Sequence, residues 1–242
     1  MRAAFLVVLL AAAESTTAVL PSYFWRLLEG AWVTVYLSFI SFGVAIVLGL
    51  LIAIARLYGP APVRWAAVVY VDVFRGIPVL LLIFFLYFGL PGFATQLDGF
   101  GLGLTLRLDA MTAAILGLGL NYAAYEAEIY RAGISAIPVG QWEAAASLGM
   151  SGPQTFWRII LPQAIRTILP PMTNDFIALF KDTSVVSVIA IEELTKRYQM
   201  ESKATYDYVG TGLVTASLYL IMAIPLSYLS RYLEKRWGSA HI

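Results

Sequence analysis

Five long apolar stretches, about residues 31–55, 66–90, 110–134, 163–190 and 209–231, alternate with short polar connections. A helix needs roughly 20 apolar residues to cross a bilayer core, and each stretch supplies them. The pattern predicts an all-α membrane protein built as a five-helix bundle. A further apolar run, Phe5 to Ala13 between Arg2 and Glu14, is too short to span. It reads equally as the core of a signal peptide, a peripheral helix on the outer leaflet or an over-extended start, so residues 1–20 are set apart from one body of residues 21–242.

The connections differ in charge. Arg56 and Arg64 flank the first, Arg131, Arg158 and Arg166 the third, and Arg231, Lys235 and Arg236 follow the last apolar stretch. The connection at 91–109 has only Arg107 against Asp98 and Asp109, and that at 191–208 mixes Lys196, Arg197 and Lys203 with four acids. Basic connections stay in the cytoplasm. The expected topology therefore has the N-terminus outside and the C-terminus and the 141–162 loop inside.

Composition agrees with a multi-pass membrane protein, with 60% hydrophobic and 13% charged residues and a mean hydropathy of +0.78. A net charge of +1 gives no case for nucleic acid. The absence of cysteine removes disulfides and thiolate chemistry, and His241, the single histidine, excludes histidine triads and multi-histidine metal sites. No stretch matches GxxxxGK[ST], the phosphate-cradling loop of an ATP hydrolase, so any ATP-derived energy must come from another chain.

The 141–162 loop has its own local logic. Gln141 to Leu148 is helical in composition, with small faces at Ala144, Ala145 and Ala146 that admit a neighbouring backbone. Gly149 can adopt the positive φ that ends a helix. Ser151 as N-cap and Pro153 in the first turn predict a second short helix over 154–160, ended near Pro162. Glu143, Ala144 and Ala145, then Gly149, then Ile159, Leu161 and Pro162 have the spacing that resembles the EAA loop of ABC import permeases.

Three more blocks extend that resemblance over roughly residues 28–235. Asp72-Val-Phe-Arg75-Gly76-Ile-Pro78 resembles the FRGxP signature of polar amino acid permeases. Asn121 to Gly133, NYAAYEAEIYRAG, and Asn174 to Ser184, NDFIALFKDTS, resemble two further blocks of the histidine, glutamine and arginine type of ABC permease. The resemblance implies a type I importer permease bundle of five transmembrane helices with a cytoplasmic coupling-helix hairpin at 141–162. It implies an inner-membrane subunit that imports amino acids without an ATPase motif of its own, ATP and magnesium being held by partner subunits. The implied partners are two ATP-binding cassette subunits, a second permease of the same or a similar kind, and an extracytoplasmic amino acid-binding protein. In the hairpin, Glu143 would be the polar contact to the ATPase and Gly149 the hinge.

Candidate substrate contacts come from the acids of the fourth stretch. Asp175 and Asp182 are seven residues apart, which puts them on one helix face with an axial offset of about 10 Å. A carboxylate in the bilayer costs a few kcal/mol or more and so faces the bundle interior, water or a cation. Asp175 and Asp182, with Asn121, Asn174, Thr183 and Ser184, are expected to line an amino acid passage. One carboxylate would take the α-ammonium and the other a cationic side chain. A polar network holding a kink at Pro170 and Pro171, which are expected to bend or unwind this helix, explains the same acids. Arg75 is expected at the cytoplasmic membrane edge, snorkelling or paired with Asp72, and Glu126 and Glu128 are expected to pair with Arg131. An ion-coupled secondary transporter, with Asp175 and Asp182 as proton or sodium sites, is the alternative reading.

Overall fold

The structure, a computed structural model, describes residues 20–98 and 107–237. The reading of residues 1–20 lies outside them but for Leu20. The first helix, α1, runs Leu20–Tyr58, starting eleven residues before the predicted stretch. The second predicted span, 66–90, is corrected. It is two pieces, α2 at Ala61–Gly76 and α3 at Val79–Phe84, the latter continuing through a π turn, Phe85–Gly89, into α4 at Leu90–Asp98. Pro78 lacks an N–H and disfavours the helical conformation at the residue before it. Ile77 is accordingly extended, with φ −94° and ψ 129°, and the chain breaks there.

Helix α5, Ala110–Ser135, is the buried axis of the molecule and is N-capped by Asp109, whose Oδ1 accepts from the Thr112 amide at 3.0 Å. Ala113, Ala114, Ala123, Ala124 and Ala127 are fully buried along it. Helix α1 lies against this face at close range. A Cβ added at Gly49 would come 2.7 Å from Glu126 Cβ, and one at Gly119 would come 2.7 Å from Val44 Cγ1. Small residues let membrane helices approach in this way, where dispersion rather than water exclusion holds them together.

After α6, Val139–Ser147, and α7, Gly152–Thr155, a π turn at Phe156–Ile160 leads into α8, Leu161–Asp182. The expected stop near Pro162 is therefore corrected: the helix runs through it. Both π turns end two residues before a proline, Gly89 before Pro91 and Ile160 before Pro162. The wider turn makes room for the proline ring, which would otherwise clash with the carbonyl four residues back. The expected unwinding at Pro170 and Pro171 is also corrected, since α8 is helical through both. It stops at Asp182 instead, and Thr183–Ile189 continues as a 3-10 turn closed by Ala190 in the left-handed region at φ 64°. The predicted fourth span is thus a full helix only to residue 182.

Helix α9, Leu194–Thr205, is capped by the buried Glu193 carboxylate, which accepts from the amides of Thr195 at 2.8 Å and Lys196 at 2.7 Å. Leu194 packs with Tyr23, Leu27 and Ala31 of α1, and α10 follows at Tyr208–Trp237. Among the described residues, three helical stretches are long and apolar enough to cross a membrane: 23–58, 79–96 and 208–237. Helices α5 and α8 carry carboxylates in their interior, and these organise the site.

Candidate functional site

Asn121 and Tyr122 stand near the midpoint of α5, about 16–18 Å from its first residue and about 20 Å from its last at 1.5 Å per residue. Two other helices end against this point. The Asn121 Nδ2 donates to the carbonyls of Phe74 at 2.7 Å and Ile77 at 3.4 Å, at the broken end of α2. The Tyr70 hydroxyl adds a bond to the Leu120 carbonyl at 2.7 Å, and its ring stacks on Phe74. From the other side, the Tyr122 hydroxyl donates to Asp182 Oδ2 at 2.8 Å, at the C-terminal end of α8.

Charges gather around these ends. Arg75 is exposed, with its guanidinium 5.2 Å from the centroid of the Tyr125 ring. The docking of α2 sets it beside the middle of α5. No ion pair joins it to Asp72 among the described residues. Asp175 lies within electrostatic reach of Arg75, is half-buried, and keeps Oδ2 buried without a hydrogen bond. Glu126, one residue past Tyr125, is 0% exposed, with the Tyr130 hydroxyl one turn along α5 as its polar neighbour. The expected pairing of both acids with Arg131 holds for Glu128 only, which bridges Arg131 and Arg56.

The other residues singled out from sequence separate. Asn174 is on the far face of α8, bonded to Glu234 Oε1 at 2.9 Å and to the Ser230 hydroxyl at 2.7 Å. With Lys181 and Arg231 it lines a cleft of about 290 Å³ between α8 and α10. Thr183 is buried and donates to the Phe180 carbonyl at 2.7 Å. Ser184 faces a second cleft, beside Lys181, Thr195 and Tyr219. Sequence reasoning assigned no role to Tyr122 or Tyr125 and a structural one to Arg75. The signal was there in part, because an arginine beside a Gly-x-Pro break cannot be assumed to stay on a continuous helix.

At one end of the bundle, α6 and α7 form the hairpin. Gly149 has φ +76°, and the turn around it makes two bonds, from the Gly149 amide to the Ala146 carbonyl at 2.9 Å and from the Met150 amide to the Ala145 carbonyl at 3.1 Å. This is a Schellman end, in which the left-handed residue lets the last carbonyls of the helix be met locally. The Ser151 amide donates to the Gln154 side chain at 3.0 Å and starts the second arm. Glu143 and Ala144 are exposed while Ala145 faces inward; Ile159 and Leu161 are half-buried and Pro162 is exposed. Trp142, Pro153, Phe156 and Trp157 border a cleft of about 380 Å³ beside the hairpin, and Leu148 at its tip is 82% exposed.

A family model described as the binding-protein-dependent transport system inner membrane component matches residues 45–239. The chain belongs to that family. This permease is 36% identical over 210 residues to the glutamine transport system permease of Escherichia coli, covering 87% of its own length and 92% of that protein. It is 34% identical over 213 residues to the arginine transport system permease of Bacillus subtilis, covering 88% and 93%. Among solved structures it superposes on the crystal structure of an amino acid ABC transporter with histidines at a TM-score of 0.77, with 34% identity over 88% of this chain and 95% of that one. The permease is thus a helical membrane subunit of the type I ABC importer kind. Permeases of this kind work with ATPase subunits, a second permease and a binding protein. The match favours the ATP-driven reading over an ion-coupled transporter.

Proposed function

We propose that this permease forms the passage of an ATP-driven amino acid importer in the inner membrane, crossing it five times with the hairpin and C-terminus in the cytoplasm. The observation that carries the passage is that two helix ends meet midway along α5, one bonded to Asn121 and the other, through Asp182, to Tyr122, with Arg75 over Tyr125 and within electrostatic reach of Asp175. One exposed cation and two carboxylates match the zwitterion of an amino acid. Arg75 takes the α-carboxylate, for which the planar guanidinium fork is suited. Asp175, with its unbonded oxygen, takes the α-ammonium or a cationic side chain. Asp182 is oriented by Tyr122, and Ser184 borders the same helix end. The names of the relatives, glutamine and arginine permeases, agree with a polar amino acid as cargo.

The hairpin supplies the coupling. Glu143 and Ala144, with Gly149 setting the angle between the arms, fit the surface cleft of an ATP-binding cassette subunit. Ala145, Ile159 and Leu161 hold the arms onto the bundle, and the exposed Pro162 lies on the contact side. Two such subunits bind ATP and magnesium, and their approach moves two paired permeases between inward and outward access. Only differential contacts in the two states can drive that exchange.

The test is uptake by the complete complex in proteoliposomes, with its ATPase, partner permease and receptor, across a panel of basic, neutral and acidic amino acids. Arg75→Ala should lower uptake of every member about tenfold or more, the loss of a charge-assisted contact worth ~1.5–3 kcal/mol. Asp175→Asn should reduce arginine and lysine uptake more than glutamine uptake. Unchanged uptake across the panel in Arg75→Ala would remove the proposed passage.

A further inference from the structure

Helix α2 ends at a place where its carbonyls have no partners of their own. In an uninterrupted helix the Phe74 carbonyl accepts from the amide four residues on, but that residue is Pro78, which has no N–H. The Ile77 carbonyl is likewise left out, because the Leu81 and Leu82 amides both donate to Pro78 instead, at 3.0 and 3.2 Å. Such carbonyls can be met by water at a surface, but within a bilayer they need a donor from the protein. One side chain meets both. Asn121 is 5% exposed, and its Nδ2 reaches Phe74 and Ile77 at 2.7 and 3.4 Å.

The two accepting carbonyls flank Arg75 and Gly76. Asn121 therefore bonds the backbone on either side of the residue whose guanidinium stands over Tyr125, one helical turn along α5 from Asn121 itself. We infer that Asn121 is a positioning residue of the passage: it pins the broken end of α2 to α5 and so fixes where Arg75 presents its charge. This gives Asn121 a role apart from the expected contact with the cargo, carried by its Nδ2, which is committed to two carbonyls. The inference rests on the reading of Arg75 as the carboxylate anchor.

The experiment is a double-mutant cycle read by binding of radiolabelled arginine to the detergent-solubilised permease–ATPase complex without receptor, so that receptor affinity does not enter. Asn121→Ala should raise the Kd about fivefold or more when Arg75 is present and less than about twofold when Arg75 is already alanine, the non-additivity expected of residues that act through one another. Equal factors in both backgrounds, or no change in either, would overturn the inference. Co-elution of Asn121→Ala with its ATPase on gel filtration checks assembly. A raised Kd in the co-eluting complex supports the inference. If that variant does not assemble, Asn121→Ser, which keeps a donor near the two carbonyls, is read through the same cycle with the same two outcomes. An unchanged Kd in Arg75→Ala alone would instead remove the passage reading, and the inference with it.

Discussion

The permease interrupts its helices in two settings, and the hairpin around Gly149 differs from the break at Gly76–Pro78 in who satisfies the freed backbone. At Gly149 the turn is self-contained, because its amides reach back to Ala145 and Ala146 and its tip is exposed. At the Gly76–Pro78 break the Phe74 and Ile77 carbonyls depend on Asn121, which is 47 residues from Phe74 in sequence. A break that closes on itself can move as a unit against a partner protein. A break closed by another helix is part of the tertiary structure, and what it carries is held in place. On the proposed function, coupling and recognition use opposite solutions to one backbone problem.

The largest effect should come from abolishing the second break. Gly76→Ala with Pro78→Ala removes a poor helix former and restores a donor to Phe74, so α2 should continue into α3 as one helix. Arg75 would be carried away from Tyr125, and uptake should fall about a hundredfold, the scale of a misplaced binding group. Far-ultraviolet circular dichroism should show helix content no lower than in the wild type. Wild-type uptake by this variant would show that the break is incidental to transport.

Next in size is the hairpin. A non-glycine residue at φ +76° costs about 1–2 kcal/mol, and asparagine tolerates this region better than alanine. Gly149→Ala should therefore reduce receptor-stimulated ATP hydrolysis severalfold, with Gly149→Asn in between. Arginine binding by the detergent-solubilised complex should be unchanged in both. Equal, undiminished stimulation in the two variants would mean that the angle between the arms is not transmitted.

The two breaks were also unequally legible in the sequence. Gly149, Ser151 and Pro153 are neighbours along the chain, and local rules are enough to place the turn and the second arm. The apolar runs likewise located the bundle. The height of Arg75 was not legible, because it is set by which part of α5 receives the end of α2, a contact between distant residues. Pro162 failed as a stop signal because the π turn before it absorbs the ring, which a count of prolines does not show. Unwinding at Pro170 and Pro171, one of the two outcomes expected there, does not occur either. Asp175 and Asp182 do share a face, as their spacing required, but Asn174, one residue from Asp175, turns about 100° away and is bonded to α10. Periodicity names the faces of α8 without saying which one looks into the passage.

That last ambiguity supports the smallest prediction. Asn174 bonds Glu234 and Ser230 across the exposed cleft between α8 and α10, about 100° around α8 from Asp175. Hydrogen bonds in an exposed setting contribute about 0.5–1.5 kcal/mol net, so Asn174→Ala should lower the thermal midpoint slightly. It should leave arginine uptake within about twofold of the wild type, since nothing in the Asp175 and Arg75 cluster depends on it. A tenfold loss of uptake with unchanged thermal stability would mean that the passage runs along the Asn174 and Lys181 face. The comparison would then invert, with the α8–α10 cleft as the recognition surface and the pinned end of α2 as scaffold.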